Sequence, residues 1–135
     1  MFIVGSSAGG FCAVIAAITE PDDLDTDMPE DAIPEANHPG EACDVQAVVN
    51  LWGGAGPWLD SLDRTDPPMI LVYGSEDWLL VEGQRVRDRC EAVGAAYEWT
   101  QLDGWRHGAW DALIGGQTHP AAILDFFQRQ GVLVP

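Results

Sequence analysis

The stretch Met1-Phe2-Ile3-Val4-Gly5-Ser6-Ser7-Ala8-Gly9-Gly10 limits what the rest of this chain can be. A β-branched and aromatic run leads into Gly5, an apolar run from Phe11 to Ile18 leads away from Gly10, and between them stands the pattern Gly-x-Ser-x-Gly. That succession reads as a strand, a sharp turn and a helix. A serine on such a turn sits in a strained backbone conformation. The residues two before and two after it must be nearly free of side chain for the neighbouring backbones to approach. Gly5 and Gly9 meet that need for Ser7. Ser6 in the same role would put Val4 and Ala8 at those places, and Val4 is too bulky, so Ser7 is the candidate nucleophile.

The elements that follow alternate. Phe11, Val14, Ile15 and Ile18 recur at helical spacing in a run apolar on nearly every side, as expected of a helix buried against a sheet, with Cys12 in its packing. Val45 to Leu51 and Met69 to Tyr73 are continuous apolar runs of a length suited to buried parallel strands. Between them, Trp58 to Leu62 predicts a short helical turn. Val81 to Val93 predicts a helix with Val86, Cys90 and Val93 on one face and Gly94 as its stop. Tyr97 to Leu102 alternates as a strand, Asp103 to Gly108 is a turn, and Trp110 to Ile114 suggests a short helix. A last helix opens near Thr118 to Pro120 and runs to Gln130. This order predicts an α/β fold: one domain over 1–135 with a short parallel sheet flanked by helices on both faces.

The segment Glu20 to Asp44 departs from this pattern, with ten acidic residues, four prolines and no lysine or arginine. It reads as an irregular acidic excursion at 20–44. Its Asp23-x-Asp25-x-Asp27 spacing falls short of a calcium loop, because Met28 and Pro34 stand where glycine and the bidentate glutamate belong. Across the chain, 22 acidic residues against six basic ones give a net charge of −16. Such a chain repels nucleic acid and anionic membranes, so neither is an expected partner. No run reaches the length of a membrane span and no signal peptide is legible, which leaves the compartment open. Cys12, Cys43 and Cys90 show no close-spaced ligand pair, so neither zinc nor a disulfide is expected.

In an open parallel sheet, functional groups collect in loops at the carboxyl ends of the strands. Three such loops carry Ser7, Asp77 and His107. A serine hydroxyl attacks a carbonyl only when an imidazole takes its proton, and a carboxylate must hold that imidazole in the right tautomer. Glu76 competes with Asp77 from the same turn, and Asp103 lies too close to the histidine loop to be the acid. His38 sits in the acidic excursion and His119 at a helix start, where capping or exposure is the ordinary explanation. Of the six tryptophans, Trp52, Trp78 and Trp105 fall in loops at the predicted active edge and could line an apolar acyl or aryl pocket. Trp58, Trp99 and Trp110 suit packing, and core use of all six stays open.

At this point the chain resembles the α/β-hydrolase superfamily, in its bacterial carboxylesterase and lipase-like branch. The resemblance rests on Gly5-Ser6-Ser7-Ala8-Gly9-Gly10, on Pro67 to Asp77 with its Tyr-Gly-x-x-Asp ending, and on Gly104-x-x-His107-Gly108. It implies Ser7 as nucleophile, Asp77 as orienting acid, His107 as general base and then acid, and the Ala8 N–H as one oxyanion donor. The implied reaction is hydrolysis of small carboxylic esters through an acyl-enzyme, with no metal or organic cofactor.

Members of that superfamily place several strands before the elbow, one of whose loops carries a His-Gly-Gly-type motif with further oxyanion donors. This sequence has no counterpart, so it reads as a truncated α/β-hydrolase fold. Loss of one such donor typically costs about 10²–10³-fold in turnover. The strand ending at Gly5, central in the family, would become an exposed edge, which predicts a homo-oligomer through that edge strand. The alternatives are a non-catalytic or partner-dependent assembly module, and amidase or peptidase activity on the same triad.

Overall fold

The computed structural model describes residues 1–19 and 44–131. The acidic excursion apart from Asp44, with its calcium-like spacing, His38 and Cys43, lies outside the described residues. In chain order the elements are β1 (Phe2–Ser6), α1 (Ala8–Ile18), β2 (Ala47–Leu51), a 3₁₀ turn (Gly56–Ser61), β3 (Met69–Gly74), α2 (Leu80–Val93), β4 (Tyr97–Leu102) and α3 (His119–Arg129). The strands form one parallel sheet in the order β1-β2-β3-β4.

Every residue of β2 and β3 is buried, which is why both read as unbroken apolar runs. Side chains alternate between the faces of the sheet. On one face, Gly5 meets the backbone of α1 and Tyr73 meets Gly83 of α2. On the other, Phe2 packs against Phe127 of α3 with tilted rings whose centroids are 4.3 Å apart. Helices therefore cover both faces, and the core lies along β2 and β3. Gly94 ends α2 in the left-handed region at φ 79°, where glycine is at no steric disadvantage.

Two expectations need correction. Trp110 to Ile114 is a turn and not a helix. The Trp110 N–H donates to the Gly108 carbonyl, Ile114 and Gln117 close a small bridge, and Gly115 and Gly116 take positive φ. Cys12 is exposed rather than packed, because α1 turns only Gly10, Ala13, Val14 and Ile18 fully inward.

β1 pairs only with β2 among the described residues, so its outer edge is free. Phe2 and Val4 on this strand are 42% and 49% exposed. No described helix is long and apolar enough to cross a membrane.

Candidate active site

Ser7 stands between the end of β1 and the first turn of α1 at φ 53° and ψ −122°, a conformation side-chain-bearing residues rarely adopt. Its N–H donates to the Leu51 carbonyl at 2.9 Å, and its carbonyl accepts from Gly10 and Phe11 at 2.9 and 3.1 Å. The steric demand falls differently from the pattern-based expectation. A Cβ on Gly5 would lie 2.0 Å from the Gly9 carbonyl oxygen, but a Cβ on Gly9 would meet open space. The second close approach is at Gly10, where a Cβ would lie 2.6 Å from Asn50 Oδ1. Gly9 thus matters for where its backbone runs, and Gly10 for the side chain it lacks.

The Ala8 N–H, at the start of α1, donates no hydrogen bond among the described residues. Unpaired amides at a helix N-terminus carry partial positive charge that favours an anion.

Ser7 Oγ lies 2.8 Å from His107 Nε2, and His107 Nδ1 lies 2.9 Å from Asp77 Oδ1. A carboxylate only accepts, so Nδ1 carries the proton donated to Asp77 and Nε2 is left to accept from the serine hydroxyl. The Asp77 side chain is fully buried, and its Oδ1 also accepts from the Leu79 N–H at 2.8 Å. Glu76 points outward instead and pairs with the exposed Arg106 at 3.3 Å.

The acid and histidine loops are laced together beyond the ends of their strands. The Ser75 N–H donates to the Leu102 carbonyl, the Glu76 N–H to the Trp105 carbonyl, and the Gly104 N–H to Ser75 Oγ, at 2.9, 2.9 and 2.8 Å. This brings Asp77 and His107 into one rigid corner. Trp78, 72% exposed, lies over His107 with centroids 5.0 Å apart, and Trp105 is also exposed. Trp52 is buried at 1% exposure, so it backs His107 edge-on at 6.4 Å rather than offering a wall to solvent. Trp110, expected to pack, is 57% exposed and meets Trp52 edge-on. Among the described residues, no group of three His, Cys, Asp or Glu is placed to hold a metal ion.

No protein-family model matches the chain, and no curated protein is similar to it by sequence. Solved structures are similar. A truncated form of a carbohydrate esterase from gut microbiota aligns with TM-score 0.72 at 15% identity, over 98% of this chain and 60% of that one. A carboxylesterase from Lactobacillus plantarum gives 0.72 at 14% identity, over 99% and 60%. Esterase 2 of Thermogutta terrifontis, phosphorylated by paraoxon, gives 0.67 at 18% identity, over 98% and 54%. This is an α/β-hydrolase fold. The chain spans only about 60% of the length of the first two of these esterases.

Within this α/β-hydrolase sheet, an apolar groove of about 430 Å³ runs beside β1, lined by Val4, Ser6, Leu51, Trp110, His119 and Ile123 among others. His119 is neither a cap nor exposed, in contrast to its sequence-based assignment. It is 3% exposed, set between Trp52 and Trp110, and neither ring nitrogen has a hydrogen-bond partner among the described residues. Burial holds its pKa below the usual histidine value, only partly offset by the nearby Ala112 carbonyl. The unfolded chain therefore binds the proton more readily, so stability is lost as pH falls below the ordinary histidine range. His119→Phe is expected to stabilise the fold by about 1 kcal/mol and to flatten that acid-side loss, as read by thermal melts between neutral and mildly acidic pH. Equal or lower melting temperature throughout would contradict this.

The sequence carried little warning of His119, Gly10 or Gly74. Their roles come from contacts with distant segments: the tryptophan pair, Gly53, and the Trp105 carbonyl.

Proposed function

We propose that this chain carries the catalytic centre of a serine carboxylesterase acting on small carboxylic esters. The observation that carries the proposal is the continuous hydrogen-bonded line from Ser7 through His107 to Asp77. In the proposed cycle, Ser7 Oγ attacks the ester carbonyl carbon while His107 Nε2 takes the hydroxyl proton, and Asp77 stabilises the imidazolium. The carbonyl π-electrons move onto oxygen, which the Ala8 N–H receives at the start of α1. As the tetrahedral centre collapses, Nε2 returns its proton to the departing alcohol and an acyl-serine remains. Water then attacks the acyl carbon with His107 again as base, releasing the carboxylic acid and restoring Ser7. The proposed apolar wall for an acyl or aryl group is the exposed Trp78 over His107, with the exposed Trp105 as its candidate companion. The paraoxon adduct of the Thermogutta esterase supports choosing a phosphorus reagent as probe.

The test is fluorophosphonate labelling, together with hydrolysis of short-chain aryl esters. The expected result is an adduct on the peptide carrying Ser7, with label and turnover both absent in Ser7→Ala. A folded wild type that takes no label would remove the esterase reading.

A partner-dependent form of the same reading is favoured by the open edge of β1 and its exposed Phe2 and Val4. An unpaired strand edge bordered by apolar side chains recruits another strand. We propose self-association of two copies through β1. Sedimentation is expected to show a mass that rises with concentration, and a monomer across the micromolar range would refute it.

A further inference from the structure

We propose that Asn50 and Tyr73 are positioning residues that lock the Trp52–Gly53 turn, and that this turn sets the Ser7 elbow and the His107 ring against each other. The inference rests on the esterase reading above. Both residues are fully buried polar side chains that the triad does not use. They form a closed ring of hydrogen bonds with one backbone residue. Asn50 Nδ2 donates to Tyr73 Oη at 2.9 Å, Tyr73 Oη donates to the Gly53 carbonyl at 2.8 Å, and the Gly53 N–H donates to Asn50 Oδ1 at 2.9 Å. Gly53 thus commits both its backbone groups to this ring. Burial raises the Tyr73 pKa far above its ordinary value, so its hydroxyl stays a donor at any working pH.

The turn so held is strained. Trp52 sits at φ 47°, where a bulky residue is a true outlier, and its N–H is pinned to the Val72 carbonyl at 2.9 Å. Strain of this kind persists only where surrounding contacts over-determine it. On one side, the turn's neighbour Leu51 accepts the N–H of Ser7, and Gly10 of the elbow helix abuts Asn50 Oδ1 and Gly53. On the other side, the Trp52 ring stands edge-on to His107. One small unit therefore touches the supports of both the nucleophile and the base.

Packing alone gives no reason for this chemistry. An apolar pair of similar shape would fill the same space without the cost of burying polar groups. It could not grip a backbone N–H and C=O at fixed angles. The ring of hydrogen bonds supplies orientation.

The test uses the full chain with Tyr73→Phe and Asn50→Leu, each assayed below its melting temperature. Expected is a fall in kcat of about tenfold to a hundredfold, with KM held within about twofold. The His107 Cε1–H resonance should move in both variants, because the Trp52 ring current reaches it. The double variant should be no worse than Asn50→Leu, since the ring acts as one unit. If Asn50→Leu does not fold, Tyr73→Phe carries the test alone. Folded variants with an unchanged His107 resonance overturn the proposal. So does a loss of turnover that matches a loss of fluorophosphonate-titratable sites, with kcat per site intact. A wild type without turnover defeats the esterase reading, while the His107 resonance still decides the positioning role.

Discussion

Asp77→Asn is expected to lower kcat by about 10³–10⁴-fold at neutral pH while leaving KM within a few-fold. The substitution keeps shape and burial and changes only what the side chain asks of its partner. In the native site Asp77 Oδ1 already accepts from the Leu79 N–H, and it also accepts from the His107 Nδ1–H at 2.9 Å. Leu79 and the ring share that one oxygen, so an asparagine that keeps its oxygen there leaves its amide N–H₂ in the buried, unpartnered place of Oδ2, and one that turns its amide round sets N–H₂ against the Leu79 N–H. The imidazolium also loses the buried carboxylate that balances its charge. Steady-state kinetics on a short-chain aryl ester, with circular dichroism to verify folding, decide the matter. A loss smaller than about tenfold would place the orienting carboxylate elsewhere.

Gly74→Ala should damage stability and turnover together. Gly74 closes β3, and a Cβ there would lie 2.1 Å from the Trp105 carbonyl oxygen and 2.6 Å from its carbonyl carbon. That carbonyl cannot swing aside freely, because it accepts the Glu76 N–H at 2.9 Å. One methyl group therefore wedges apart the two loops that carry Asp77 and His107. Overpacking of this kind costs about 1–3 kcal/mol, and a shift of the base by about an ångström costs about a hundredfold in turnover. Thermal melts and kcat are the readouts. A variant with wild-type melting temperature and turnover would show that the loops can separate without consequence.

These two predictions differ in how far the sequence foretold them. Asp77 was legible because a carboxylate follows the clearest apolar run by a fixed short turn. The role of Gly74 was visible only as part of a Tyr-Gly-x-x-Asp pattern, since the atom it must avoid belongs to Trp105. The strands were legible because parallel strands buried on both faces are apolar at nearly every position, as in Met69–Gly74. Trp110 to Ile114 misled because its apolar residues mimic a helical period, whereas glycines at positions 108, 115 and 116 with positive φ make it a turn. Cys12 misled in the other direction: α1 is apolar on nearly every side, yet one side faces outward. His119 could not be read at all, since a histidine beside Pro120 at a helix start has the same local sequence whether it is capped, exposed or sealed between tryptophans.

The sequence by itself determined the alternation of elements, the strand-turn-helix around Ser7 and the chain order of serine, carboxylate and histidine. Those properties reside in side-chain size, branching and short-range periodicity, which act within a few residues of one another. Only the tertiary structure decided that groups separated by 100 and 30 positions meet at 2.8 and 2.9 Å. It also decided that Gly10 rather than Gly9 must lack a side chain, that Trp52 lies beneath the site, and that Asn50 and Tyr73 share one backbone residue. Such outcomes depend on the register of four strands and on how each crossover seats its helix. No local stretch contains that information, because each contact is made between segments that the sheet alone brings together.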